Sequence, residues 1–266
     1  MPSFMNKEVS AVLLDITGVL IESSGDGKGI PIPGSVTAIQ ELHKANIPLR
    51  FLTNETTKSR SVLYQSLLSH GFDIPEEDHI FTPAIAANAH LRRESLRPFL
   101  LAKESVREDL KEVLRGEGEP NCVLLGDAEE GFNHAALNKA FQVLMKDTSR
   151  KLFTLGKGKY FQQDGNLSLD IGPFAVALEY ASEREAQIIG KPDPGFFMDA
   201  LRSLDVPPER AIMVGDDVRS DVNGSQRAGL RGILVRTGKY RSGDEQHGPD
   251  ALVDNLKDFV DRLLLK

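Results

Sequence analysis

Short apolar runs alternate along the chain with segments in which apolar residues recur every three or four positions. The short runs predict strands at residues 11–14, 49–52, 98–102, 122–125, 151–155, 186–189, 211–214 and 232–235. The helical spacing predicts helices at residues 34–46, 59–70, 85–93, 106–114, 133–145, 174–182, 196–204 and 251–265. Strands that alternate with helices in this way indicate an α/β protein with parallel sheets.

Two glycine-rich segments interrupt this pattern. Residues 23–33 predict a loop, and no Gly-Lys-Ser/Thr sequence follows it, so a P-loop is excluded. Residues 156–160, with Asp164 and Gly165 shortly after, predict further loops. We favour the interpretation that Lys157 and Lys159 in the second segment are exposed to solvent. The alternative is that they contact a substrate.

Composition and charge exclude several classes of function. The net charge of −7 argues against a nucleic-acid partner. Cys122 is the only cysteine, so an internal disulfide and a cysteine-based zinc site are excluded, and a reducing compartment is expected. No apolar run reaches the length of about 18 residues that a membrane span needs, and residues 1–10 lack the pattern of a secretory signal. We therefore expect no membrane partner and a cytoplasmic protein, with the nucleus as a second location although no compact basic cluster is present.

Asp15 follows the first apolar run. Four consecutive apolar residues before it predict a strand buried on both faces, and Gly18 allows a tight turn after it. Asp15 is therefore expected at the carboxyl end of a central strand, where open α/β sheets bind ligands. An aspartate in this position is, taken alone, more often a turn former or a helix N-cap.

Thr53 and Asn54 repeat the pattern after the second predicted strand. They are consistent with a helix N-cap, in which the threonine hydroxyl accepts a hydrogen bond from the following helix. They are equally consistent with an anion site built from the hydroxyl and the first amides of that helix. The local sequence does not separate the two interpretations.

Two later strand ends carry charged residues. Lys191 stands between a glycine and a proline, in a stiff loop that favours a positioned charge. Asp216 and Asp217 follow another apolar run, and Asp221 stands four residues later. Neighbouring carboxylates repel each other, so such a cluster at the end of a buried strand needs a cation. Oxygen ligands favour Mg²⁺ or Ca²⁺.

Four strand ends thus carry a carboxylate, a hydroxyl, a lysine and an acidic cluster, in that order. Phosphoryl transfer requires such a set, because a nucleophile attacks phosphorus while cations neutralise the phosphoryl oxygens. The four segments resemble the four motifs of the haloacid dehalogenase superfamily. The matching segments are Asp15-Ile-Thr-Gly, Thr53-Asn54, Lys191-Pro192, and Gly215-Asp216-Asp217 with Asp221.

The resemblance implies a doubly wound, Rossmann-like parallel sheet with an inserted α/β cap domain. More than 130 residues separate the second and third motifs, which resembles the large cap of nitrophenylphosphatase-like enzymes. We therefore expect the core at residues 1–84 and 189–266 and the cap at residues 85–188. Several segments resemble a family of phosphatases acting on phospholysine, phosphohistidine and pyrophosphate; these segments are residues 15–20, 53–60, 140–145, 155–160 and 235–239.

The resemblance also implies chemistry for the motif residues. Asp15 is implied as the nucleophile that becomes an aspartyl phosphate. Mg²⁺ is implied as the cofactor, held by Asp15, Asp216 and the backbone carbonyl of Thr17. Asp217 and Asp221 are implied to support these ligands or to bind the metal through water.

For the substrate, the resemblance implies binding groups from three strand ends. Thr53, the amide of Asn54 and Lys191 are implied to hold the phosphoryl oxygens, with Lys191 also catalytic. The full substrate-binding set is Asp15, Ile16, Thr17, Thr53, Asn54 and Lys191. The cap is implied to close over the site and exclude water other than the attacking molecule. A homodimer is implied by the resemblance alone.

Thr17 departs from the pattern of the superfamily. Most of its phosphatases carry a second aspartate at this position, which protonates the leaving group. Losing a general acid costs about 10²–10⁴ in rate, and the loss matters least when the leaving group departs easily. A phosphoramidate can already carry its proton on nitrogen, and pyrophosphate leaves as a stabilised phosphate. This agrees with what the resemblance implies, and we expect a Mg²⁺-dependent phosphatase that acts on P–N bonds and pyrophosphate.

Two other functions stay open. A broad-specificity phosphomonoesterase for small molecules would use the same scaffold, although Thr17 speaks against it. A weakly active protein that senses phosphate or serves as a scaffold would explain the missing general acid, but the complete set of Asp15, Thr53, Lys191 and Asp216 counts against it.

Overall fold

The computed structural model describes residues 8–24, 29–163 and 166–265, which form two compact units. The first unit contains Met1–Thr53, Leu63–Phe81 and Lys191–Lys266, and the second contains Asn54–Val62 and Thr82–Gly190. The domain boundaries expected from the sequence, at 84/85 and 188/189, stay a prediction.

The described residues form short strands and mostly short helices. The strands are β1 (Ala11–Asp15), β2 (Ile21–Glu22), β3 (Ile30–Pro31), β4 (Leu49–Leu52), β5 (Ile80–Phe81), β6 (Pro98–Leu101), β7 (Cys122–Leu125), β8 (Leu152–Thr154), β9 (Tyr160–Gln163), β10 (Asn166–Leu169), β11 (Ala186–Ile188), β12 (Ala211–Gly215), β13 (Arg231–Val235) and β14 (Ala251–Val253). The α-helices are α1 (Ser35–Lys44), α2 (Arg60–Ser69), α3 (Pro83–Arg93), α4 (Lys111–Leu114), α5 (His134–Met145), α6 (Ile171–Ser182), α7 (Pro194–Arg202), α8 (Gly224–Arg227) and α9 (Leu256–Leu264). A π-helix spans Val218–Asn223.

The first unit is built on a parallel sheet with the strand order β14-β13-β12-β1-β4-β5. From β1 the chain builds β4 and β5 on one side and later returns to build β12, β13 and β14 on the other. The strand order therefore reverses at β1, which is the topological switch point where open α/β sheets bind ligands. The doubly wound α/β fold expected from the sequence is confirmed.

Both faces of this sheet are covered. Alternate side chains of β13 point to opposite faces, so Ile233 and Leu234 belong to different clusters. Ile233 packs in the core that includes Ile39 of α1 and Phe259 of α9. Leu234 packs against the π-helix through Val222. This arrangement explains why the strands are continuous apolar runs rather than alternating ones.

The second unit contains its own parallel sheet, with the strand order β11-β8-β7-β6. One face packs against α3, and the other packs against α5 and α6. Cys122 is buried in β7, and burial raises the pKa of its thiol to about 12. The thiolate form that cysteine chemistry requires is therefore suppressed in this protein.

Most predicted elements are present within a few residues of their expected bounds, but two helix predictions were only partly right. Residues 106–114 lie mainly in a 3₁₀ segment, Glu104–Leu110, followed by the single α turn of α4. Residues 251–265 begin with β14, which pairs with β13, and α9 starts only at Leu256. Asn255 caps that helix by accepting a hydrogen bond from the amide of Asp258 at 2.9 Å.

The glycine-rich segments were predicted as loops, and the structure adds detail to each. Residues 30–31 form β3, which pairs with β2, whereas residues 25–28 lie outside the described residues. Residues 164–165 also lie outside the described residues.

None of the described helices has the length and apolar character that a transmembrane crossing requires.

The packing of α9 predicts a large difference between two of its residues. Phe259 is fully buried in the core of the first unit, whereas Leu264 is 39% exposed. Phe259→Ala leaves a cavity, so we expect the free energy of unfolding to fall by about 3–5 kcal/mol. Leu264→Ala, the matched control, is expected to cost no more than about 1 kcal/mol. Urea denaturation followed by circular dichroism measures both, and equal losses would contradict this packing.

Candidate active site

Three neighbouring strands of the first unit end at the same edge of its sheet. The register pairs Asp15 of β1 with Leu52 of β4, and Leu14 with Val214 of β12. Residues 15, 53 and 216 therefore lie at adjacent strand ends, and these residues are 6%, 3% and 2% exposed. Parallel strands place their carboxyl ends together, so segments some 200 residues apart in the sequence converge here.

Lys191 joins these strand ends through its buried ammonium group. Its Nζ lies 2.5 Å from Asp15 Oδ1 and 2.7 Å from Asp221 Oδ1, and it donates a hydrogen bond to the carbonyl of Leu52 at 3.2 Å. Burial alone would lower the pKa of this lysine, but the two carboxylates outweigh burial and raise it above its ordinary value. Lys191 is therefore protonated and holds Asp15 in a defined position.

Three buried carboxylates lie close together at this site, and two of them contact the Lys191 ammonium. Asp15, Asp216 and Asp221 each offer one oxygen, and these oxygens lie within 4.8 Å of one another. Burial and the negative charges of the other two carboxylates raise the pKa of Asp216 to about 8. Burial, opposed by Lys191, raises the pKa of Asp221 to about 6. The cluster therefore lacks positive charge when all its carboxylates are ionised.

Asp216 also has an oxygen without a partner. Its Oδ1 is buried and accepts no hydrogen bond from any residue in the described ranges, whereas Oδ2 accepts one from the amide of Lys239 at 2.7 Å. A buried polar atom left unsatisfied is unfavourable and calls for an explanation. A hard divalent cation would satisfy it, since such ions bind carboxylate oxygens. The residues present thus fit a magnesium or calcium ion.

Asp217 plays a different part from its neighbours. Its Oδ1 accepts hydrogen bonds from the amides of Arg219 and Ser220, both at 3.0 Å, and so caps the π-helix. Burial would raise its pKa, but these amides and the positive charge of Lys239 lower it below its ordinary value. Of the two acidic residues expected to support the metal ligands, only Asp221 lies in the carboxylate triad.

The turn after Asp15 brings Thr17 to the surface. Ile16 is buried, and its carbonyl accepts hydrogen bonds from the amides of Leu20 and Ile21 at 2.9 and 3.1 Å. Gly18 has φ +94°, and a Cβ there would overlap the Asp216 carboxylate, so glycine is required. Thr17 is exposed and lines a cavity of about 380 Å³ together with Asp216 and other residues of the first unit.

Thr53 does not cap the helix that follows it. The amide of Thr53 donates to the carbonyl of Phe81 at 3.1 Å, and α2 begins only at Arg60. The N-cap interpretation is therefore wrong, and the amide of Asn54 does not belong to a helix N-terminus either. Asn54 is the first residue of the second unit, where its side chain lies beside Gly190. The roles of Thr53 and Asn54 in phosphate binding stay predictions.

Sequence analysis gave no role to the loop after β13, although it borders the same cavity. Gly238 and Lys239 line that cavity, and the amide of Lys239 contacts Asp216. The segment 235–239 stood out only through its resemblance to a family. A glycine and a lysine directly after a parallel strand were the signal that could have placed it at this edge of the sheet.

Comparison with known proteins identifies the class of this fold and site. The family model for haloacid dehalogenase-like hydrolases matches residues 12–114, and a model described as HAD-hydrolase-like matches residues 188–259. The chain belongs to the haloacid dehalogenase-like hydrolase family, and it is an enzyme of the phosphatase class.

Its relatives cover nearly the whole chain. The phospholysine phosphohistidine inorganic pyrophosphate phosphatase of Bos taurus is 46% identical over 259 residues, which are 96% of this chain and 94% of the relative. The haloacid dehalogenase-like hydrolase domain-containing protein 2 of Homo sapiens is 40% identical over 241 residues, 90% and 89% of the two chains. Among solved structures, a 4-nitrophenylphosphatase from Thermotoga maritima has a TM-score of 0.84 and 25% identity, covering 96% of this chain and 97% of the other.

The raised pKa of Asp216 predicts how stability depends on pH without metal. Its pKa of about 8 in the folded chain exceeds the ordinary value of 3.8, so between these values the folded state binds more protons than the unfolded state. The carboxylate therefore destabilises the fold increasingly as pH rises. We expect Asp216→Asn to raise the Tm in EDTA at about pH 8.5, and to raise it less at about pH 6.

Asp217→Ala provides the contrasting control for this measurement. The pKa of Asp217 is lowered, so its carboxylate is ionised at both pH values and its stabilising contribution is lost only at acid pH. Removing the cap is expected to destabilise the protein by about 1 kcal/mol at either pH. Destabilisation by Asp216→Asn at the higher pH would contradict the repulsion inferred within the triad.

Proposed function

We propose that this protein is a Mg²⁺-dependent phosphatase that hydrolyses P–N bonds and pyrophosphate through an aspartyl phosphate on Asp15. The P–N substrates proposed are phospholysine, phosphohistidine and imidodiphosphate. The observation that carries this proposal is the buried contact of 2.5 Å between Asp15 and Lys191 beside an acidic triad. The 46% identity to a phosphatase named for phospholysine, phosphohistidine and inorganic pyrophosphate supports the substrate class.

Asp15 has the surroundings that a carboxylate nucleophile needs. The ion pair with Lys191 fixes the orientation of Asp15 at the end of β1. In the proposed reaction Asp15 attacks phosphorus, the bond from phosphorus to the leaving nitrogen or oxygen breaks, and an aspartyl phosphate forms. A water molecule then attacks that phosphorus, which releases inorganic phosphate and regenerates the Asp15 carboxylate.

The cation and the phosphate group are assigned to different residues in this proposal. Asp15, Asp216 and the backbone carbonyl of Thr17 would hold Mg²⁺, which when bound neutralises charge on the phosphoryl oxygens. Lys191 is protonated and would contribute a further positive charge to the phosphoryl group, with Thr53 and the amide of Asn54 as hydrogen-bond donors.

Thr17 supports the choice of substrates. Its side chain is exposed at the cavity beside Asp216, where most superfamily phosphatases carry a carboxyl group that protonates the leaving group. A hydroxyl is a poor general acid at neutral pH. Phosphoramidates and pyrophosphate tolerate its absence, because their leaving groups are already protonated or stabilised as anions.

A broad-specificity phosphomonoesterase is the second candidate function. The observation that favours it is the structural likeness to a 4-nitrophenylphosphatase, with a TM-score of 0.84 at 25% identity. We also propose that the protein forms a homodimer, because its family resemblance implies one, and gel filtration tests this. We further propose that the protein is cytoplasmic with a nuclear pool, and fluorescence microscopy tests that location.

Phosphate release from imidodiphosphate, pyrophosphate and p-nitrophenyl phosphate tests the proposal directly. We expect the wild type to prefer the first two, and to lose activity when EDTA removes Mg²⁺. Asp15→Asn is expected to lower kcat by at least about 10³-fold, because an amide is not a nucleophile. Asp205→Asn makes the same chemical change at an exposed turn and is expected to retain activity. Dominant turnover of p-nitrophenyl phosphate would favour the phosphomonoesterase instead.

Thr17→Asp tests the leaving-group argument. The added carboxyl group can protonate a poor leaving group, so we expect alkyl phosphate turnover to rise relative to phosphoramidate turnover by about tenfold or more. Thr17→Ser keeps a hydroxyl and is expected to leave the ratio unchanged. Steady-state kcat/KM for an alkyl phosphate and for a phosphoramidate gives this ratio. An unchanged ratio in Thr17→Asp would refute the idea that Thr17 selects substrates whose leaving groups depart easily.

A further inference from the structure

The mechanism above makes no use of the loop formed by Thr237, Gly238 and Lys239. We propose that this 237–239 loop is a positioning element for the cation site, holding two of its three ligand groups at a defined separation. The inference rests on the proposed function, because it takes the Thr17 carbonyl and Asp216 as ligands of Mg²⁺.

Thr237 fixes the turn that carries the Thr17 carbonyl. Its Oγ1 donates a hydrogen bond to the carbonyl oxygen of Gly18, and the amide of Gly18 donates to the carbonyl of Ile21 at 2.7 Å. The Thr17 carbonyl and the Gly18 amide belong to one planar peptide group. Hydrogen bonds on both sides of Gly18 therefore define the direction in which the Thr17 carbonyl points.

Lys239 fixes the second ligand with its backbone. Its amide donates to Asp216 Oδ2 at 2.7 Å, so the carboxylate is held by one oxygen. The other oxygen, Oδ1, is the buried atom that lacks a hydrogen-bond partner in the described ranges. The loop thereby selects Oδ1 as the oxygen that remains for a cation.

Gly238 lets the loop approach both ligand groups closely. A Cβ at Gly238 would overlap the Asp216 carboxylate and would lie 2.6 Å from the Gly18 Cα. Gly238 also has φ +60°, a conformation that residues other than glycine rarely adopt. The turn after Asp15, the Asp216 carboxylate and the 237–239 loop are therefore packed as one body.

The Thr237 hydrogen bond spans 219 residues of sequence, so it does not serve the local turn in which Thr237 lies. Hydrogen-bonded partners of metal ligands orient those ligands, and losing one typically costs about 10–100-fold in metal affinity. The same size of effect is expected here, since the hydroxyl acts on the peptide group next to the ligand carbonyl.

Thr237→Val tests the inference, because it removes the hydroxyl from a half-buried side chain while keeping its shape. We expect the Kd for Mg²⁺, measured by isothermal titration calorimetry on the full chain without substrate, to rise about tenfold or more. Thr237→Ser restores the hydroxyl and is expected to stay near the wild-type Kd. With pyrophosphate, kcat of Thr237→Val should recover at high Mg²⁺ while KM changes little.

The outcomes separate this inference from the proposed function. A wild-type protein that binds Mg²⁺, together with a Thr237→Val variant of equal affinity, would overturn the positioning role alone. Equal loss of affinity and of Tm in EDTA in the valine and serine variants would also overturn it, because general destabilisation would then explain the effect. A wild type without Mg²⁺ binding or Mg²⁺-dependent phosphate release would overturn the proposed function itself.

Discussion

The site depends on the buried ion pairs of Lys191. Its ammonium lies between Asp15, which is 176 residues away in sequence, and Asp221 on the π-helix. A buried charge is tolerated only when it is paired, and removing one partner of such a pair leaves the other charge uncompensated. Lys191 therefore joins the end of β1 to the segment after β12, and the carboxyl edge of the sheet is held together by charge as well as by strand pairing.

The single ammonium in contact with the triad does not balance its three carboxylates, although the charge of Lys239 also acts on them. Burial, together with the negative charge of the neighbouring carboxylates, raises the pKa values of Asp216 and Asp221. Asp216 Oδ1 also has no hydrogen-bond partner in the described ranges. This excess of negative charge and the unsatisfied oxygen are unfavourable for the folded protein without a ligand, but they suit the binding of a cation together with a phosphate group. The negative charge of the triad destabilises the protein when no cation is bound, and the same charge would bind a cation.

The sheet explains how one turn can serve several roles. β1 lies at the switch point, and the turn after Asp15 is bordered by the ends of β4 and β12 and by the loop after β13. Gly18 accommodates Asp216 on one side and the 237–239 loop on another. Thr17, next to Gly18, is left exposed at the cavity, where a change of side chain meets little of the packed core.

The sequence alone predicted most of the helices and the longer strands, and it placed Asp15, Thr53 and Asp216 at the ends of strands that lie in one sheet. Lys191 follows β11, a strand of the other sheet, so only the tertiary structure brought it beside Asp15. The sequence could place the first three because apolar runs define parallel strands, and parallel strands of one sheet share a carboxyl edge. It could not separate a short strand from an adjoining helix at residues 251–265, since periodicity is ambiguous over three residues.

Only the tertiary structure decided which acidic residue joins the triad. Asp217 turns its carboxylate to the amides of the π-helix, whereas Asp221 turns toward Lys191. It also decided that α2 begins too late for Thr53 to cap it, and that the 237–239 loop contacts Gly18 and Asp216. These facts depend on side-chain direction and on contacts between distant segments, neither of which local sequence patterns encode.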